Sequence, residues 1–165
     1  MKWSGAKEWT MEEITFSEII SYAKIAEDNA KKFYLDAADI ASLSHVKEFL
    51  KSLAGEEQSH YDRLDALQKN LKKKGIVPKV HEAIHNFGYA DYIKPAGQLD
   101  EGASYKDVLE AAMAKEKEAI QSYDKFSRYV DDAEAKKLFN LLAQEEKKHL
   151  KRFEEEYDDL QDQKY

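Results

Sequence analysis

The residues of this chain that can do chemistry are glutamates and histidines set at one repeated spacing. Glu57 and His60 stand three apart, and so do Glu146 and His149. A step of 89 residues carries the first pair onto the second, and the same step carries Glu27 to Glu116, Ala30 to Ala119 and Tyr34 to Tyr123. Over residues 17–66 against 106–155, 11 of 50 positions are identical, and the identities gather on these polar positions. One design is therefore used twice. A Glu and a His three apart share one face of a helix. On such a face one side chain can bridge two ions while the other binds one of them. A third Glu-x-x-His, Glu82 with His85, acts as a control: it has no partner in the repeat and lies among glycines and prolines, so it reads as a solvated or locally structured pair.

The elements that carry these residues follow from the breakers and the caps. Of 6 Gly and 2 Pro, all but Gly5 and Gly55 lie between Gly75 and Gly102. The chain thus divides into two helix-rich halves around an irregular crossover, about residues 75–104. Thr15 with Glu18 spells a capping box, as does Ser104 with Asp107, and Asp131 with Glu134 opens the last helix in the same way. Ser44 is the expected cap of the second helix, and Lys72 to Lys74 before Gly75 suit its end. Helices are expected at about 16–41, 45–74, 105–130 and 132–160. The expected fold is all-α: an antiparallel four-helix bundle of two helical hairpins in one domain spanning residues 1–165. Gly55, inside a helix, is expected to mark a close approach of another helix or of the site.

Apolar residues recur along each helix at alternating steps of four and three, which keeps one side toward the bundle. Glu27, Glu57, His60, Glu116, Glu146 and His149 interrupt these seams in mid-helix, whereas Glu156 falls near the chain end and is expected to be exposed. Glu27 and Glu57 lie at similar distances from the turn between their helices, roughly 20 Å at about 1.5 Å per residue. Glu116 and Glu146 repeat this height in the second hairpin. A buried carboxylate is penalised by several kcal/mol unless something compensates. No Lys or Arg occupies a mid-seam position. Protonation or cations remain, and two divalent cations balance four carboxylates with two neutral imidazoles.

Composition narrows the classes. Lys and Arg total 26 against 33 Asp and Glu, a net charge of −7 with no basic block, which argues against nucleic acid and membrane-surface partners. The absence of cysteine excludes disulfides, thiolate nucleophiles and Cys-held metal within these residues. No apolar run reaches the roughly 18 residues of a membrane span, and the first residues show no signal region, so a cytoplasmic location is expected. Trp3 and Trp9 are expected either to pack on the bundle or to mark a dimer contact.

The strings Ala26-Glu27-Asp28-Asn29-Ala30 with Phe33-Tyr34, Leu53-Ala54-Gly55-Glu56-Glu57-Gln58-Ser59-His60, Ala114-Lys115-Glu116-Lys117-Glu118-Ala119 with Tyr123, and Leu142-Ala143-Gln144-Glu145-Glu146-Lys147-Lys148-His149 resemble the ferritin-like superfamily, specifically its rubrerythrin-like di-iron proteins. The resemblance covers about residues 16–160. It implies two iron ions bridged by Glu57 and Glu146, with Glu27 and Glu116 as terminal or chelating ligands and His60 and His149 on one iron each. Manganese or zinc suits the same donors. It implies that Tyr34 and Tyr123 hydrogen-bond to ligand carboxylates. It further implies an oxidoreductase that reduces hydrogen peroxide or dioxygen with electrons from an external donor protein, working as a homodimer. The alternative is a ferroxidase or iron-storage protein of the ferritin type. Departures bear on this choice. Rubrerythrins proper carry another carboxylate where this chain has Ala119, and a Cys-rich iron domain, whereas these residues include no Cys. Bacterioferritins use a haem-ligating Met where Gln58 stands, and storage ferritins usually carry a fifth helix, for which little chain remains after Leu160.

Overall fold

Three of the four helices among the described residues begin at a side chain that accepts from a free backbone N–H. The computed structural model describes residues 14–81 and 99–163. Trp3, Trp9, Glu82 and His85 lie outside these. Helix α1 is Phe16–Ile40, α2 is Ser44–Lys73, α3 is Tyr105–Tyr129 and α4 is Ala133–Asp162. Two short strands, β1 (Lys79–Val80) and β2 (Val130–Asp131), pair antiparallel with Lys79 opposite Asp131. At α1, Glu18 N–H donates to Thr15 Oγ1 at 3.2 Å and Thr15 N–H donates to Glu18 Oε2 at 2.7 Å. Ser104 and Asp107 build the same box on α3. At the end of α2, Gly75 takes a left-handed φ of 71°. Its N–H donates to Lys72 O, and Ile76 N–H donates to Leu71 O at 2.9 Å, so two end carbonyls are satisfied.

Three local expectations are corrected. Ser44 is already inside α2; Leu43 holds the cap position in extended geometry and supplies no side-chain bond. The cap of α4 is Asp132, whose carboxylate accepts from Ala135 N–H at 2.9 Å, because Asp131 is drawn into the pairing with Lys79. Glu156 is half-buried rather than exposed, since Tyr105 reaches across and donates its hydroxyl to Glu156 Oε2 at 3.1 Å.

The α1–α2 and α3–α4 hairpins pack against each other through α1 on α3 and α2 on α4. The core divides into two apolar clusters. One joins Phe16, Ile20, Leu64 and Leu71 to Phe126 and Phe139. The other joins Phe33, Leu50 and Leu53 to Val108, Leu109 and Phe153. The end of α2 lies in the first cluster and the start of α3 in the second. These two helix ends therefore lie at opposite ends of the bundle. Burying each fully enclosed Leu or Phe side chain contributes roughly 1.5–3 kcal/mol, so the two clusters act as apolar plugs holding the layer between them in place. No helix among the described residues is long and apolar enough to cross a membrane.

Candidate metal centre

Between the two plugs lies a polar layer. Glu27 and Tyr34 come from α1, Glu57 and His60 from α2, Glu116 and Tyr123 from α3, and Glu146 and His149 from α4. The four glutamates and two histidines are each at most 3% exposed. His60 Nδ1 lies 2.9 Å from Glu146 Oε1, 3.4 Å from Glu57 Oε2 and 3.5 Å from Glu27 Oε2. His149 Nδ1 lies 3.0 Å from Glu146 Oε2, 3.1 Å from Glu57 Oε1 and 3.7 Å from Glu116 Oε1. The two rings are nearly parallel, 9° apart, with centroids 5.6 Å apart. Glu57 and Glu146 thus serve both histidines, while Glu27 serves one and Glu116 the other.

This gives two overlapping donor groups. Glu27, Glu57, His60 and Glu146 form one; Glu57, Glu116, Glu146 and His149 form the other, and in each group one ligand atom per residue lies within 4.8 Å of the rest. Three buried atoms here, Glu57 Oε1, Glu146 Oε2 and His149 Nδ1, have no hydrogen-bond partner of usable geometry, although His149 Nδ1 lies 3.1 Å from the first and 3.0 Å from the second. Buried polar atoms left so are rare and call for an explanation. Oxygen and imidazole donors converging in one buried layer fit a pair of divalent cations.

The electrostatics agree. Burial, reinforced by the Glu57 charge, pushes Glu27 up to about 8. Burial and the charges of Glu57, Glu116 and Glu27 raise Glu146 well above the carboxylate range. Burial works against ionised Glu57 too, but the adjacent His149 and His60 imidazoles hold it below its ordinary value. Burial likewise opposes charge on the two imidazoles, and their glutamate neighbours overcome it and raise both. Protons are standing in among crowded acids.

The rubrerythrin family model matches residues 18–157, a span that contains every one of these residues. The chain belongs to the rubrerythrin family. No curated protein matches it. Among solved structures, the crystal structure of KatB, a manganese catalase from Anabaena PCC7120, matches with a TM-score of 0.60 at 20% identity, covering 97% of this chain and 80% of that one. That likeness shows the shared ferritin-like helical bundle.

In this rubrerythrin-family chain the tyrosines act across the hairpins. Tyr34 on α1 donates its hydroxyl to Glu116 on α3, and Tyr123 on α3 donates to Glu27 on α1. A further layer escaped the seam pattern. His60 Nε2 lies 2.8 Å from Glu145 Oε2, and Arg63 Nη1 donates to Glu145 Oε1 at 3.3 Å. His149 Nε2 lies 2.7 Å from Glu56 Oε2, and Arg152 Nη1 donates to Glu56 Oε1 at 3.1 Å. A neutral ring that donates from Nε2 presents the Nδ1 lone pair to the cluster. Arg63 holds Glu145 below the ordinary carboxylate range; for Glu56, burial is outweighed by His149 and Arg152. The signal was available in the repeat, because the step of 89 also carries Glu56 to Glu145 and Arg63 to Arg152. These residues lie beside the seam, where a glutamate or arginine looks like ordinary surface.

Proposed function

We propose that the centre binds two metal ions, iron in the first instance, and reduces hydrogen peroxide or dioxygen with electrons from a separate donor protein. The observation that carries this is the set of unpartnered buried atoms on Glu57, Glu146 and His149, placed where two four-residue donor groups overlap. Glu57 and Glu146 would be shared by both ions, Glu27 and His60 would complete one site, and Glu116 and His149 the other. A bound redox-active pair supplies two electrons and open coordination positions to the oxidant. For peroxide the balance is one H2O2, two electrons and two protons giving two waters. The chain's own residues orient and insulate. Tyr34 and Tyr123 hold Glu116 and Glu27 in place, and Glu56 and Glu145 fix the imidazole tautomers. The apolar plugs exclude bulk water from both ends. Manganese fits the same donor set.

Metal analysis of the purified protein after anaerobic loading with ferrous iron tests the centre: close to two ions per chain are expected, and none overturns it. Stopped-flow oxidation of the loaded protein tests the chemistry. Turnover of peroxide with a reductant supports the proposal. Accumulation of mineral in a large hollow assembly supports iron storage instead.

A further inference from the structure

The polar layer is closed on most sides. The Phe126–Phe139 cluster seals one end of the bundle and the Leu50–Phe153 cluster the other. Along α2 and α4, the Glu145–Arg63 and Glu56–Arg152 pairs stand behind the imidazoles. Between α1 and α3 the packing is different. A cavity of about 30 Å³ there is lined by Ala30 and Ala119, by Lys115 and Glu118, and by Glu57 and Glu146. Both of those glutamates are buried and carry an unpartnered oxygen. Ala30 and Ala119 are themselves related by the repeat step of 89, so each hairpin contributes an equivalent small residue to the gap.

Size and charge together define what this gap passes. A water needs roughly 10–15 Å³ on this measure, so the cavity takes about two waters or one molecule of two heavy atoms. Its rim is electrically balanced. The half-buried Lys115 ammonium sits 5.8 Å from the Phe33 ring centroid, and Glu118 supplies an exposed carboxylate. Inside, the four carboxylates would be balanced by two divalent ions, so the gap offers no net charge to attract an ion.

We propose that the gap between α1 and α3 is the entrance for the oxidant, and that Ala30 and Ala119 are its size filter, admitting uncharged molecules of two heavy atoms and turning away alkyl hydroperoxides. The proposal rests on the di-metal function proposed above. Neither alanine carries a polar side chain, so neither takes part in binding metal. Each sets the aperture through bulk alone.

The test uses Ala119→Leu and Ala30→Leu, which narrow the gap from opposite helices, and Ala119→Gly, which widens it. Both leucine variants are expected to retain the wild-type metal content. Their reaction with hydrogen peroxide should slow about tenfold, corresponding to about 1.4 kcal/mol of barrier. Water-proton relaxivity of the manganese-loaded protein, which reports solvent reaching the ions without any turnover, should fall with it. Ala119→Gly should lower the preference for hydrogen peroxide over tert-butyl hydroperoxide. Leucine variants that hold full metal yet match wild type in both rate and relaxivity overturn the entrance. If neither leucine variant loads metal, the peroxide preference of Ala119→Gly decides: an unchanged preference overturns the filter and a lowered one supports it. Failure of the wild-type chain to bind metal overturns the di-metal function itself, and the entrance with it, and is told apart by metal content alone.

Discussion

Glu57 lies 3.4 Å from His60 Nδ1 and 3.1 Å from His149 Nδ1, so it is common to both halves of the centre. Glu57→Ala is expected to lose most bound metal while circular dichroism shows nearly unchanged helix; full metal occupancy in that variant would refute the shared position. Glu145→Ala is a different kind of change. It leaves every inner donor in place but frees His60 Nε2 and Arg63, and loss of such an outer partner typically weakens metal affinity by about 10–100-fold. A competition titration against a chelator reads that loss, and an affinity equal to wild type would show that Glu145 does not orient the ring. Acidity adds a third expectation. Glu27 holds its proton to about pH 8 in the folded protein against an ordinary 4.5. The folded state without metal binds this proton more tightly than the unfolded chain does. The stabilisation is therefore fully present below about pH 4.5 and is lost as pH rises toward 8. Metal binding must expel that proton, together with those on the raised histidines, so apparent affinity runs the opposite way and increases with pH. Titration at pH 6 and pH 8 should show tighter binding at the higher pH and proton release in weakly buffered solution. Affinity independent of pH would mean that Glu27 is already ionised.

The helices were legible in the sequence wherever a local group decides the boundary. Thr15 with Glu18, Ser104 with Asp107, and Gly75 all stand where the structure uses them. Asp131 was misplaced by one residue because its role is set by Lys79, 52 residues away in the chain, and a cap pattern carries no trace of a strand pairing. The six polar residues on the seams were legible for the opposite reason, since burial of charge on an apolar periodicity is conspicuous. Glu56, Arg63, Glu145 and Arg152 were not, because their function depends on reaching the opposite hairpin. Gly55 also departs from expectation. It is exposed, and a Cβ built there meets nothing within 4 Å, so no close approach requires glycine. Gly55→Ala should therefore stabilise the protein by about 0.5–1 kcal/mol through helix propensity and the reduced freedom of the unfolded chain. Chemical denaturation measures this; a destabilised variant would show that the helix needs flexibility beside Glu57.

At the scale of the whole molecule, the centre is where the two hairpins are tied together. Glu57 of the first hairpin lies against His149 of the second, Glu146 of the second lies against His60 of the first, and the tyrosines cross in both directions. The apolar plugs also draw on both hairpins, so the bundle is expected to fold without metal. Two consequences follow from this division. Metal that binds only the native state stabilises it by mass action, about 4 kcal/mol at a thousandfold excess over the dissociation constant. The added protection should also be uneven. Amides of α1 to α4 next to Glu27, Glu57, Glu116 and Glu146 should exchange more slowly on loading, while the capped ends at Thr15 and Ser104, held by their own local bonds, should change little. Hydrogen exchange with and without metal checks both. Uniform slowing along every helix would mean that metal is required to form the bundle, and slowing confined to one hairpin would mean that the donors are not shared between the two.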